Sequence, residues 1–291
     1  MQTYSGPYAG PCRSVLYIPG SKPRALEKAQ GLAVDAIIFD LEDAVAPDEK
    51  VAARELLAET LKTADYGPRR RIVRINGFDT EWGAEDLKAV AAAGPDAVLL
   101  PKVDRGADIA KLAEMLDAIP AAKNTTIWAM METPRGILNA AEIAAAPRME
   151  GFVLGTNDLA KDLRSTGRAA MMTSLQLCLL AARAEGLICV DGVYNAFKDD
   201  DGLKAECSEG RDMGFDGKTL IHPAQIAIAN AAFGPSEEEL DLARRQIAAF
   251  EEAKAAGQGV AVLDGKIVEN LHVASAQRIL AQAEAIAQLE G

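Results

Sequence analysis

The segment Thr126-Ile-Trp-Ala-Met-Met-Glu-Thr-Pro-Arg-Gly-Ile-Leu-Asn-Ala-Ala-Glu-Ile-Ala-Ala-Ala-Pro-Arg-Met-Glu-Gly-Phe-Val-Leu-Gly-Thr-Asn-Asp-Leu159 decides the fold. A short apolar run ends in Glu132, a helical stretch follows, and a second apolar run, Phe152–Leu154, ends close to Asp158. That is one β/α repeat with an acid at the end of each strand. In a wound α/β protein both acids then fall on the same rim. Two hard carboxylates with room for water suit Mg²⁺ when a substrate completes the shell. Each acid also precedes a helix-start signal, so helix capping by either is the structural alternative.

The repeat continues outward in both directions. Strand-like runs occur at Ser14–Ile18, Asp35–Phe39, Ile72–Ile75, Ala97–Leu100, Thr126–Met130, Phe152–Leu154, Leu187–Val190 and Lys218–Ile221. Helix-like stretches lie between and after them: Pro23–Gly31, Asp48–Thr63, Trp82–Ala93, Ala107–Ile119, Arg135–Ala146, Thr173–Glu185, Leu203–Met213 and Ala224–Ala232. Eight strands, each followed by a helix, predict an α/β fold of the (β/α)₈ TIM-barrel type. The strands show little alternation, as expected when both faces are covered. No Gly-x-Gly-x-x-Gly opens a helix, which argues against a dinucleotide-binding sheet. The 291 residues exceed the roughly 250 that such a barrel typically needs. The surplus follows Gly234. Pro235-Ser236-Glu237-Glu238-Glu239 starts a helix with a Ser cap and an acidic first turn. Asp264-Gly265 then reads as a hairpin turn, and a last helix runs from about Leu271 to Leu289. The expected division is a catalytic barrel over residues 1–234 and a helix-hairpin-helix extension over 235–291, too small to be stable alone.

Composition narrows the function. A net charge of −12 disfavours nucleic acid as a partner, since phosphate neutralisation needs a basic face. No apolar run reaches the about 18 residues of a membrane span. Met1–Pro11 has neither a basic start nor an apolar segment of signal-peptide type. Cys12, Cys178, Cys189 and Cys207 lack C-x-x-C spacing and read as buried reduced thiols in a cytoplasmic protein.

Barrel enzymes act at the C-terminal ends of their strands. The residues closing the runs are Pro19-Gly20-Ser21-Lys22, Asp40-Leu41-Glu42-Asp43, Asn76-Gly77, Pro101-Lys102, Glu132, Asp158, Asp191-Gly192 and His222-Pro223. Nearly every polar interruption of an apolar run falls at this rim. Glu132 and Asp158 are the expected metal ligands. With no His or Cys beside them, Mg²⁺ is preferred, with Mn²⁺ as the substitute. Glu42 and Asp43 can accept from metal-bound water, or form a solvated acidic loop. Arg74, inside an apolar strand, must meet an anion: a substrate oxygen, or Asp40 or Glu42. Lys22, Arg24 and Lys28 stand at the start of one helix, where its dipole disfavours cations. They face an anion such as a nucleotide phosphate, or only solvent. His222 is a packed or orienting residue, or a base. His272 in the tail has no motif around it.

Several motifs, in order, resemble the HpcH/HpaI aldolase and citrate lyase β-subunit family: Ser14-Val-Leu-Tyr-Ile-Pro-Gly-Ser21, Phe39-Asp-Leu-Glu-Asp-Ala-Val45, Val73-Arg-Ile-Asn-Gly77, Pro101-Lys-Val103, Met131-Glu-Thr133 and Gly155-Thr-Asn-Asp-Leu159. The likeness spans the chain and is strongest to the malyl-CoA group. Val190-Asp-Gly-Val-Tyr-Asn195 and the ending Lys266-Ile-Val-Glu-Asn-Leu-His272 look closest to its thioesterase branch. The resemblance implies Mg²⁺-dependent hydrolysis of (3S)-malyl-CoA to malate and CoA. Its alternatives are carbon–carbon cleavage of malyl-CoA or citramalyl-CoA, and citrate-lyase-like action on an acyl-carrier-protein thioester. It implies that Glu132 and Asp158 hold Mg²⁺ and that Arg74 meets the reacting thioester oxygen. Tyr17, Lys22 and Lys28 would hold the adenine and phosphates of CoA. Thr156 and Asn157 would flank the substrate, with Ile221 and His222 along the pantetheine path. The tail would be a lid reaching a neighbouring subunit of a homotrimer or hexamer. Lyases of the family carry an Asp in the tail as acid/base. Here that position is Glu269, whose carboxylate sits one methylene further out.

Overall fold

The computed structural model describes residues 10–290. The reading of Met1–Pro11 as free of a targeting segment therefore falls almost wholly outside the described residues. Eight strands follow one another around a closed parallel barrel. They are β1 (Ser14–Pro19), β2 (Ala36–Asp40), β3 (Arg70–Arg74), β4 (Ala97–Leu100), β5 (Thr126–Met131), β6 (Met149–Leu154), β7 (Ile188–Asp191) and β8 (Gly217–Leu220). Pairing of β8 with β1, beginning at Ser14 opposite Lys218, closes the ring. The (β/α)₈ barrel expected from the alternation is the fold observed.

The connecting helices are α1 (Pro23–Ala29), α2 (Lys50–Thr63), α3 (Gly83–Ala91), α4 (Gly106–Asp117), α5 (Pro134–Leu138), α6 (Ala140–Ala144), α7 (Thr156–Leu163), α8 (Met172–Glu185), α9 (Asp200–Met213) and α10 (Ile226–Phe233). Two differ from the sequence pattern. The single helix expected over Arg135–Ala146 is split at Asn139, whose side-chain amide donates to the Asp104 carbonyl at 2.8 Å. Helix α7 starts slightly before the helix-start signal at Asp158 and was not among the helical stretches expected: it is short and polar, and ends at Arg164 in the left-handed conformation.

Alternate side chains of each strand enter the barrel. Its centre is filled by Val15, Ile38, Ile72, Leu99, Trp128, Met130, Val153 and Val190, with small residues such as Ala36 and Ala97 between them. Trp128 fits because Gly151 faces it, and a Cβ there would lie 2.8 Å from the indole. Charged residues also seal the N-terminal end of the barrel, contrary to the expectation that polar interruptions cluster at the opposite rim. Arg13 pairs with Asp35 at 2.8 Å, and Arg70 with Glu150, which also accepts from Trp128 Nε1 at 2.7 Å. Strand starts are as polar as strand ends here, because both must stop apolar packing from running on.

The contacts divide the chain into two compact units, Cys12–Ala232 and the region from Phe233 onward. The second contains α11 (Glu237–Ala255), β9 (Ala261–Leu263), β10 (Lys266–Val268) and α12 (Asn270–Glu290). Ser236 Oγ accepts from Glu239 N at 3.2 Å, and Ser236 N donates to Glu239 Oε2 at 2.8 Å, the expected cap. Asp264 and Gly265 both take positive φ, as a two-residue hairpin turn demands. Phe250, Ala253, Ala261, Val268 and Val273 form this unit's own core. No helix among the described residues is long and apolar enough to cross a membrane. All four cysteines are buried free thiols.

Candidate active site

Strand parity and register place Tyr17, Asp40, Arg74 and Glu132 around the C-terminal mouth. Asp40 is paired with Pro19 on one side and Arg74 on the other. Arg74 is the centre of the cluster. Its Nε donates to Asp40 Oδ1 at 2.7 Å and its Nη2 to Asp40 Oδ2 at 2.6 Å. Nη1 meets Glu42 Oε2 at 3.0 Å and Asp43 Oδ2 at 3.7 Å. The Tyr17 ring lies beneath it, 5.0 Å from the guanidinium carbon. Arg74 is 6% exposed and Asp40 1%. Burial alone would favour a neutral Arg74; Asp40, Tyr17 and Glu42 more than offset it, and the guanidinium stays charged. The ion pair foreseen as the structural role of Arg74 is thus formed. A guanidinium has more N–H donors than these contacts use.

Asp40 is also the hub of its own loop, accepting from Glu42 N at 2.9 Å and Ala44 N at 3.1 Å. Lys50 Nζ donates to the carbonyls of Leu41 and Glu42. Glu42 is therefore buried and fixed, whereas Asp43 is largely exposed. Sequence reasoning gave Asp40 no site role of its own. Its position opposite Arg74 in the register was the missing signal.

Glu132 follows β5 and is buried, with Oε1 accepting from Lys102 N at 2.8 Å. It does not cap the next helix. Thr133 does, its Oγ1 accepting from Gly136 N at 2.9 Å. Asp158 lies in the first turn of α7, whose N-cap is Gly155, so it does not supply the cap either. It is a third exposed, with Lys161 Nζ 3.8 Å away. Gly155 allows the two strand ends to meet: a Cβ there would lie 2.6 Å from Glu132 Oε2. Burial pushes the Glu132 carboxyl up to about 7; the Lys102 N–H and Arg74 oppose this, while Glu42 and Asp158 add to it. A buried carboxylate short of positive charge, coupled to a second carboxylate, fits a divalent cation. All the donors are hard oxygens, the set that suits Mg²⁺. No group of three or more His, Cys, Asp or Glu able to hold a metal occurs among the described residues. Such a site would therefore need water or substrate oxygens.

The other expected residues are spread around the rim. Thr156 is buried at the start of α7, where a Cβ on Gly192 would strike its side chain. Asn157 exchanges side-chain hydrogen bonds with Asn195, at 2.8 and 3.4 Å. Lys22 is exposed and faces Glu49 at 3.5 Å. Lys28 falls in the last turn of α1, where a cation complements the helix end, so the dipole argument applies only to Lys22 and Arg24. Tyr17 is packed in the barrel centre under Arg74, its hydroxyl 3.5 Å from Met130 Sδ, rather than grouped with Lys22 and Lys28. His222 Nδ1 accepts from Ala224 N at 3.1 Å, and its ring stacks on Phe197 at 4.8 Å. That is the orienting role. Ile221 beside it is exposed. In the second unit, Glu269 is exposed, and its backbone N–H donates to His272 Nδ1 at 3.0 Å.

Comparison with known proteins gives the family. Residues 13–223 match the HpcH/HpaI aldolase/citrate lyase family. The chain is 68% identical over 282 residues to a (3S)-malyl-CoA thioesterase of Cereibacter sphaeroides, covering 96% of this chain and 97% of that protein. It is 36% identical over 308 residues to an L-malyl-CoA/beta-methylmalyl-CoA lyase of the same species, covering 96% and 97%. A crystal structure of the protein CitE from Mycobacterium tuberculosis in complex with magnesium, acetoacetate and coenzyme A superposes with a TM-score of 0.79 at 33% identity, covering 97% of this chain and 100% of that one. The chain belongs to the HpcH/HpaI aldolase/citrate lyase family.

Proposed function

We propose that this chain hydrolyses the thioester of (3S)-malyl-CoA to malate and CoA. Near-full-length identity of 68% to a protein of that activity carries the reading. The barrel mouth supports it. Glu132 and Asp158 would hold Mg²⁺, which supplies positive charge to the malyl carboxylate and hydroxyl. Relatives solved with magnesium support the choice of metal. Arg74, locked by Asp40 and Glu42, aims its remaining N–H donors at the thioester carbonyl oxygen and stabilises the negative charge that develops there. Because Asp40 fixes its orientation beforehand, little reorganisation is needed during the reaction. Glu269 is the base that takes a proton from the attacking water and passes it to the departing sulfur, so that CoA leaves as the thiol. In the lyases an Asp stands in its place. The extra methylene of Glu269 sets the carboxylate differently over the substrate, which disfavours the deprotonation of the substrate hydroxyl that starts carbon–carbon cleavage.

The CoA arm runs over Ile221 and His222, with its phosphates toward Lys22 and Lys28. Thr156 and Asn157 shape the malyl end, and Tyr17 supports Arg74. Residues 235–291 act as a lid over a neighbouring subunit of a homotrimer or hexamer, in the cytoplasm. The deciding experiment is incubation of the purified protein with malyl-CoA and Mg²⁺, followed by product analysis. Free CoA with malate supports hydrolysis. Acetyl-CoA with glyoxylate would replace it with the lyase reaction.

A further inference from the structure

Lys102 contacts two carboxylates of the mouth, Glu132 and Glu42. It follows β4, which lies between the strand carrying Arg74 and the strand leading to Glu132. Four non-glycine residues among those described have positive φ. Arg164 ends a helix, Asp264 turns a hairpin and Arg148 lies in the turn leading into β6, ordinary reasons for that conformation. Lys102, at φ 52°, does none of these. L-residues avoid this region because Cβ crowds the carbonyl oxygen, and away from turns and caps it is held only when the surroundings impose it. Here the left-handed backbone accompanies an N–H directed at Glu132 Oε1, 2.8 Å away. The side chain leaves in another direction, and its Nζ meets Glu42 Oε1 at 2.9 Å. The other Glu42 oxygen is held by Arg74 at 3.0 Å.

We propose that Lys102 is a positioning residue that sets the site from both its ends. Its main-chain N–H orients the Glu132 carboxylate toward the divalent cation, and its ammonium holds Glu42 against Arg74. This inference rests on the metal and thioester reading above. The N–H occupies one lone pair of Oε1 and fixes the rotation of the carboxylate. The ammonium keeps Glu42 from turning away and leaving Arg74 free to shift. It also places a positive charge near the cation site, so it restrains metal affinity while favouring an anionic substrate.

The two ends are separable. Lys102→Gly and Lys102→Val are both neutral, but only glycine adopts positive φ freely, and a β-branched residue strongly resists it. Binding of Mn²⁺ to the full-length protein, followed by electron paramagnetic resonance, reads the main-chain end. Lys102→Val should bind Mn²⁺ about 10–100-fold more weakly than Lys102→Gly, the usual loss when a ligand's orienting partner is removed. Equal affinities would overturn the main-chain role. If Lys102→Val does not fold, as judged by circular dichroism, Lys102→Ala makes the same comparison. Lys102→Gln reads the ammonium, since it keeps the Cβ and the chain length. Removing one charge near a divalent cation should tighten Mn²⁺ about three- to tenfold, while kcat/KM for malyl-CoA falls about tenfold through the loosened Arg74. General damage to the fold would weaken both. Mn²⁺ affinity at or below wild type, or an unchanged kcat/KM, would overturn the ammonium role. Wild-type protein that fails to bind Mn²⁺ would sink the metal reading itself. Wild-type binding with unresponsive variants would sink only the role of Lys102.

Discussion

Replacing Arg74 with Lys keeps the charge and removes the geometry. Arg74 is 6% exposed and meets Asp40 through two nitrogens, at 2.7 and 2.6 Å, and Glu42 through a third at 3.0 Å. A lysine ammonium at the end of a flexible stem reaches one of these partners well. Hydrogen bonds to charged groups are worth about 1.5–3 kcal/mol each, and water recovers part of what is lost at the mouth, so the net cost is about 2–4 kcal/mol. A domain of about 150–250 residues loses about 2–4 °C per kcal/mol, which predicts a fall in Tm of about 5–15 °C. Differential scanning calorimetry measures it. Asp40→Asn tests the partner, and a double-mutant cycle between the two should give a coupling of about 1–3 kcal/mol. Hydrolysis should fall by about 100-fold or more in Arg74→Lys even where the protein is fully folded, because the donors no longer face the thioester oxygen. A variant melting within about 1 °C of wild type would refute the claim that this fork organises the mouth. Unchanged turnover would refute its part in the reaction.

Glu132→Gln and Asp158→Asn should each abolish CoA release and Mn²⁺ binding, and EDTA should silence the wild type until Mg²⁺ is restored. Substantial activity in EDTA would remove the metal from the reaction. Gly155→Ala places a Cβ in clash with Glu132 Cβ and 2.6 Å from its Oε2, and should lower turnover about 100-fold by displacing the carboxylate; steady-state kinetics on protein shown by circular dichroism to be folded tests this. Gly151→Ala strikes the Trp128 ring instead, so it should cost about 1–3 kcal/mol of stability, read by urea denaturation. Glu269→Asp should raise the share of acetyl-CoA and glyoxylate among the products. An unchanged product ratio would mean that the tail carboxylate does not choose the reaction.

The regular alternation of apolar runs and helical stretches made the barrel legible, because a strand buried on both faces leaves an unbroken apolar signal. The β4 reading, Ala97–Leu100, matches the strand observed. The sequence offered a start for helix α7 beside Asp158 but not its extent, because its polar sequence carries no core periodicity. Glu132 and Asp158 could be placed on one rim from the chain alone, since strand ends share a face. The division of labour around them could not. Whether Glu132 or Thr133 caps α5, and whether Tyr17 goes with the surface lysines or lies beneath Arg74, depend on angles that spacing does not encode.

What the sequence by itself determined is the barrel, the pair of acids at its mouth and the buried arginine, because periodicity and polarity record which side chains must leave water. Tertiary structure alone decided how those groups are held. The pairing of Asp40 with Arg74 comes from strand register, and the hold of Lys102 on Glu132 comes from a backbone forced to φ 52°. Both are contacts between segments distant in the chain, and only closure of the sheet brings them within hydrogen-bond reach.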